Sequence, residues 1–148
     1  MVTLRRSIYD QIVAHAQGHP EAEVCGMLGG RYGRVEEVYR ARNIAENPRT
    51  RFKIDPHDIA AISDQVEDLG MELIGFYHSH THTQAYPSPT DVADWPAPWY
   101  PDALCFICSL LDEEWPVLRA FRIGEGGEIG EEPIVIEEGD PLPEAEGV

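Results

Sequence analysis

Between Tyr77 and Asp91 the chain reads YHSHTHTQAYPSPTD, which gathers three of its six histidines, a serine and an aspartate within fifteen positions. Side chains two apart on a strand project from the same face. His78 and His80 would therefore bring two imidazoles to one point while Ser79 turns away. Two neutral nitrogens hold a divalent cation weakly, and zinc normally takes at least a third protein ligand, often a carboxylate. Asp91 is the nearest candidate. Three protein ligands leave the fourth position of a tetrahedral ion to water, which distinguishes a catalytic site from a closed structural one. His82 would join the cluster if the strand continued, but the Thr-rich stretch after His80 reads better as a turn. Ser88-Pro89-Thr90-Asp91 also has the form of a helix start, with Ser88 as N-cap, Pro89 at the first helical position and an acid at the third. The two readings are compatible, because a helix start is a rigid way to aim an aspartate.

These residues need elements to position them. ELIGFYHSH (72–80) reads as a buried strand running straight into the histidines. Upstream, Leu4, Ile8, Ile12 and Val13 at helical spacing predict a helix over 3–17, stopped by Gly18 and Pro20. PEAEVCG opens as a short helical turn and leads into CGMLGG, a strand ending at glycines, and GRVEEVYRARN (34–44) alternates as a second strand. Asp55-Pro56 starts a further helix with Ile59, Ile62, Val66 and Leu69 as its inner stripe and Gly70 as its end. DWPAPWYPD is too proline-rich for a regular element. ALCFICSLL and VLRAFRIG read as strands joined by a DEEWP turn, with EPIVIEE as a last edge strand. The class is α/β or α+β with a mixed sheet. Residues 1–137 read as one domain and 138–148 as an acidic, disordered tail.

At 148 residues and 43% hydrophobic content the chain suits a single domain with a real core. No apolar run reaches membrane-spanning length, and the N-terminus lacks the features of a signal peptide. Three cysteines, an odd number, make no disulfide framework. A cytoplasmic protein is expected. A net charge of -16 argues against nucleic acid as a partner. The charge is uneven: residues 125–148 hold nine acids and no Lys or Arg, while seven of the eleven basic residues lie between Arg31 and Lys53. Both stretches read either as solvated surface or, for Arg40, Arg42 and Arg49, as a docking face for an acidic protein. Cys105 and Cys108 form a C-x-x-C. Three apart on an apolar strand they face opposite ways and read as core. Trp95, Trp99 and Tyr100 either pack or wall a groove for an extended peptide.

His78-x-His80, seven residues, Ser88, two residues and Asp91, with a glutamate far upstream, resembles the signature of the JAMM (MPN-plus, Mov34/MPN/PAD-1) zinc metalloprotease family. PEAEVCGMLGG resembles that family's segment in which a glutamate precedes Cys-Gly and an apolar strand. This maps the family's catalytic glutamate onto Glu23, with Glu21 as the alternative. The resemblance runs from the first helix to about residue 124 and is strongest to the small stand-alone bacterial members. It implies a cytidine-deaminase-like α+β fold, although the deaminases' own P-C-x-x-C is not met, since Leu104 stands at the proline.

The same resemblance implies one Zn2+ held by His78, His80 and Asp91 with a catalytic water, Glu23 as general base and acid, and Ser88 as oxyanion donor. Its implied substrate is the amide bond after the C-terminal Gly-Gly of a ubiquitin-like sulfur-carrier protein, with release of an amino acid such as cysteine. Deconjugation of ubiquitin-like modifiers, hydrolysis of small peptides or amides, and a non-catalytic binding scaffold are the rival expectations. Oligomeric state, a homodimer included, stays open.

Overall fold

The computed structural model describes residues 1–139. Its elements in chain order are β1 (Val2–Arg5), α1 (Arg6–Gln17), β2 (Cys25–Arg31), β3 (Arg34–Ala41), α2 (Pro56–Asp68), β4 (Glu72–His80), α3 (Pro89–Asp94), β5 (Leu104–Ser109), β6 (Val117–Ile123), β7 (Ile129–Glu132) and β8 (Ile134–Glu137). The strands form one eight-stranded sheet in the order β7-β6-β5-β4-β2-β3-β1-β8. Pairing is mixed: β4 runs parallel to β5, and β1 runs parallel to both β3 and β8, while the remaining neighbours are antiparallel. This is the α+β class with a mixed sheet that the pattern of elements implies.

β4 lies at the middle of that sheet, and every residue from Ile74 to His80 is buried. A strand covered on both faces needs a layer on each side. On one face α1 lays Ile8, Ile12 and Ala16 against Leu28, Tyr77, Phe106 and Cys108. On the other, α2 lays Ile62 and Val66 against Met27 and Phe76. Val92 and Trp95 close the same face over Cys105, Ile107 and Phe121. Cys105 and Cys108 thus sit on opposite sides of β5, buried and unbridged, as core residues. Each fully buried aliphatic of this kind contributes about 1.5–3 kcal/mol.

Several elements depart from the sequence reading. Residues 2–5 are a strand, not the start of a helix, because Val2 and Leu4 alternate inward and pair with β8, whose sequence lies at the far end of the chain. The four-residue spacing of Leu4 and Ile8 imitated a helical stripe. PEAEVCG makes only a turn before β2. Leu69 is the C-cap of α2 and faces solvent, while Gly70 ends the helix with φ +68, a conformation that suits glycine. β7 was not foreseen. Its acidic, glycine-rich sequence is held to β6 by Arg119–Glu131 and Arg122–Glu132 pairs. The acidic C-terminal stretch is therefore partly structural, with Glu137 on Arg34 and Glu138 on Arg6. The expected tail beyond Gly139 lies outside the described residues.

Cys25-Gly26 sits where β2 crosses β4, with Cys25 opposite His78 and Gly26 opposite Tyr77. A Cβ at Gly26 would overlap the Tyr77 ring and the Tyr39 carbonyl. Gly26→Ala is expected to destabilise the protein by about 1–3 kcal/mol. Urea unfolding checks this, and an unchanged midpoint would mean that the sheet relaxes freely at this crossing.

Candidate active site

The end of β4 carries His78 and His80 on one face, and Asp91 reaches the same point from the first turn of α3. His78 Nε2 lies 3.1 Å from His80 Nε2 and 3.1 Å from Asp91 Oδ2, and His80 Nε2 lies 3.0 Å from the same oxygen. All three ligand-type atoms fall within 4.8 Å of one another, the only such grouping among the described residues. Ligands 2.0–2.1 Å from a tetrahedral ion stand roughly 3.3 Å apart, close to these spacings. Two imidazole nitrogens and a carboxylate oxygen are a donor set that suits zinc.

Each of these side chains is oriented by a second contact. His80 Nδ1 faces the Gln84 carbonyl at 2.8 Å, which leaves Nε2 to the cluster. The Phe52 ring stacks on His78 with centroids 4.2 Å apart. Asp91 is fixed by a reciprocal capping box: its N–H donates to Ser88 Oγ at 3.0 Å, and Ser88 N–H donates to Asp91 Oδ2 at 2.9 Å. Ser88 is thus both a cap and a neighbour of the cluster. Its hydroxyl accepts one bond and keeps its own hydrogen without an acceptor among the described residues.

Glu23 precedes β2 and is buried, 7% exposed, with Oε1 lacking any hydrogen-bond partner. Its backbone is pinned on every side. Glu23 N–H donates to Pro48 O at 2.7 Å, its carbonyl accepts from Asn43 Nδ2 at 2.9 Å, and the next N–H, of Val24, donates to Ser79 Oγ at 2.9 Å. Burial pushes the Glu23 carboxyl up to about 7, with nearby His80 opposing and Asp91 adding to the rise. Burial lowers His78, keeping it neutral, against the pull of Asp91. Burial opposes charge on His80 and on Asp91 too, but their mutual hydrogen bonds prevail, raising His80 and holding Asp91 well below the usual carboxylate range. A buried acid that can exchange a proton near neutrality, beside the neutral His78 and the ionised Asp91, is a constellation suited to general acid–base chemistry.

The structure brings together Glu23, His78, His80, Ser88 and Asp91 and leaves out His82, which is exposed in the turn after β4. Glu21 is also exposed and faces His19 at 3.7 Å. Trp95 and Tyr100 pack edge-on to Phe76 and also line a cleft beside Asp91, whereas Trp99 is 80% exposed and does neither. Arg42 is not a free docking charge, since it is paired with Asp55 and Asp58 across the start of α2. Sequence reasoning missed Asn43, Phe52 and Ser79. Asn43 uses both ends of its amide, donating to the Glu23 and Arg51 carbonyls and accepting from the N–H groups of Ala45 and Lys53. Nothing in a lone loop asparagine signals such a role.

Comparison with known proteins finds relatives over most of the chain. Residues 5–124 match the family described as prokaryotic homologs of the JAB domain. The chain is 35% identical over 116 residues to a desampylase of Haloferax volcanii, covering 73% of this chain and 80% of that one. It is 34% identical over 141 residues to the CysO-cysteine peptidase of Mycobacterium tuberculosis, covering 93% and 92% of the two chains. The solution structure of protein DSY2949 from Desulfitobacterium hafniense superposes with a TM-score of 0.82 at 31% identity, over 94% of each chain. Among the described residues no helix is long and apolar enough to cross a membrane.

The Glu23 environment predicts a pH-dependent stability. Its folded-state pKa is raised from 4.5 to about 7. Ionisation therefore costs the folded protein nothing below the lower value, and the full penalty applies above the upper one, so stability falls as pH rises through that window. Glu23→Gln removes the penalty. In metal-stripped protein it is expected to raise stability by about 1–3 kcal/mol at pH 8 and to have little effect near pH 4. Thermal melts at both pH values check the difference, and equal shifts at both would refute the assignment.

Proposed function

Because the chain belongs to the family of prokaryotic JAB-domain homologs, the small prokaryotic branch of the JAMM/MPN metalloproteases, we propose that it is a zinc-dependent peptidase. Its substrate would be the amide bond that follows the C-terminal Gly-Gly of a ubiquitin-like sulfur-carrier protein, cut to release a single amino acid such as cysteine. The observation that carries the reading is the buried, unpartnered Glu23 carboxyl beside three convergent ligand atoms. The relative named for cleaving CysO-cysteine, matched over nearly its whole length, supports the choice of substrate.

His78, His80 and Asp91 would hold the zinc ion. Bound there, zinc supplies Lewis acidity, making water a nucleophile near neutral pH. Glu23 accepts the proton of the attacking water as the water oxygen bonds to the carbonyl carbon, then delivers it to the amine nitrogen as the C–N bond breaks. Ser88 donates its unused hydroxyl hydrogen to the carbonyl oxygen as negative charge develops there. Phe52, stacked on His78, covers one side of the centre and keeps bulk water from it. A glycine tail suits such a site because the chain can lie close to Phe52 and α3 with no side chain at the scissile bond.

Cleavage of isopeptide conjugates is the second reading, favoured by the relative named a desampylase. The chemistry at Glu23 would be the same, with a lysine amine as the leaving group.

Intact-mass analysis tests the proposal directly. A bacterial ubiquitin-like sulfur carrier extended by one cysteine after Gly-Gly is expected to lose that residue on incubation with the zinc-loaded protein. The loss should vanish with a chelator or with Glu23→Gln. Ser88→Ala should lower kcat by a factor of about 100–1,000. No cleavage by protein shown to hold stoichiometric zinc would eliminate the carrier as substrate, and an unaltered kcat for Ser88→Ala would eliminate its oxyanion role.

A further inference from the structure

A cleft of about 540 Å³ opens beside Asp91, between the segment 50–54 and α3. Its walls are mostly apolar, with Phe52, Ile59, Phe76, Trp95 and Tyr100 exposed to it. This is far more room than two glycines can fill. The volume falls in the range of pockets that bury sizeable groups, roughly 300–1,000 Å³. Resting on the peptidase reading, the side of the scissile bond that faces the cleft follows from the acid–base residue. The leaving amine must lie within reach of the Glu23 carboxyl, and Glu23 is not among the residues lining the cleft. The opposite side of the bond, toward Asp91, Thr90 and Asp94, is left for the chain that precedes Gly-Gly.

The rim of this cleft carries Arg51 and Lys53, both exposed. In a chain of net charge -16 most arginines are already engaged with carboxylates: Arg6, Arg31, Arg34, Arg42, Arg119 and Arg122 all form ion pairs. Arg51 and Lys53 form none among the described residues. Their backbones are held by Asn43, which accepts from Lys53 N–H and donates to Arg51 O, so the two side chains leave a fixed stretch of main chain. Asp94 stands on the far wall. Two cations at the mouth of an apolar cleft, on an otherwise acidic molecule, create a local attraction that opposes the long-range field.

We propose that this cleft is the selectivity site for the residues preceding Gly-Gly, and that Arg51 and Lys53 admit substrate tails in which an acidic side chain adjoins an apolar one. The apolar side chain fills the aromatic walls, and the acidic one pairs with the rim. Substrates with basic tails are disfavoured at the same position.

The test uses fluorescence anisotropy of the zinc-loaded protein with labelled peptides ending in Asp-Leu-Gly-Gly, Ser-Leu-Gly-Gly and Lys-Leu-Gly-Gly, together with hydrolysis of the same peptides extended by one cysteine. At low salt the Asp peptide should bind about tenfold more tightly than the Lys peptide. That ratio should shrink toward one in about 1 M salt, where screening acts over about 3 Å. The double variant Arg51→Glu/Lys53→Glu should invert the order. Arg40→Glu should preserve it, because Arg40 projects toward His15 and Tyr77 on the α1 face. Equal binding of all three peptides overturns the proposal. So does a double variant whose altered preference follows the released residue instead of the tail. An intact binding order without hydrolysis would support the selectivity site while removing the peptidase reading, so the two can fail separately.

Discussion

Ser79 joins the two halves of the candidate site. Its N–H donates to Val24 O at 3.0 Å and its Oγ accepts from Val24 N–H at 2.9 Å, so the residue after Glu23 is locked to the residue between His78 and His80. The alternation of a strand makes this possible. While the two imidazoles face the α2 and α3 layer, the intervening hydroxyl turns to the other side and captures the neighbouring backbone. Fixing Glu23 and the histidines through one buried side chain sets their spacing without any contact between the groups themselves. A serine that looks like a spacer in His-x-His is thus the residue that registers Glu23 against His78 and His80.

The same compactness makes the site electrically expensive. Two imidazole nitrogens and the Ser88 N–H converge on one oxygen, Asp91 Oδ2, and the Glu23 carboxyl is buried nearby with Oε1 unpartnered. An unpaired buried carboxyl destabilises a fold, and the protein tolerates it because the surrounding sheet is well packed on both faces. A positive ion held by His78, His80 and Asp91 would favour the ionised form of Glu23, coupling occupancy of the site to the protonation of that carboxyl.

Segment 42–54 completes the arrangement from outside the sheet. Asn43 ties it to Glu23, Phe52 covers His78, Thr81 Oγ1 donates to Arg49 O at 3.3 Å, and Arg42 anchors it to α2 through Asp55 and Asp58. The basic cluster therefore divides by location. Arg42 holds the loop, whereas Arg51 and Lys53 face the cleft. Charge that looks uniform along the sequence separates in space into structural and outward-facing parts.

How much of this was legible in the sequence depends on the range of the interaction. β4, α2 with its Asp55 cap, and the Ser88–Asp91 capping box rest on alternation, helical spacing and contacts within a few residues, and they were read correctly. The pairing of His78 and His80 on one face follows from the same local geometry. Residues 2–5 were misread because their strand exists only through β3 and β8, partners that no local pattern announces. β7 was missed because its order comes from arginines on β6. Glu23 was preferred to Glu21 only through the family resemblance, since the two differ in burial and not in chemical type. Composition and spacing determined the chemistry available, a histidine-rich ligand motif with a helix-capping serine and aspartate. Tertiary structure alone decided which acid is desolvated, which serine and asparagine hold it, and which cations remain unpaired at the cleft, because desolvation and long-range hydrogen bonding depend on neighbours distant in sequence.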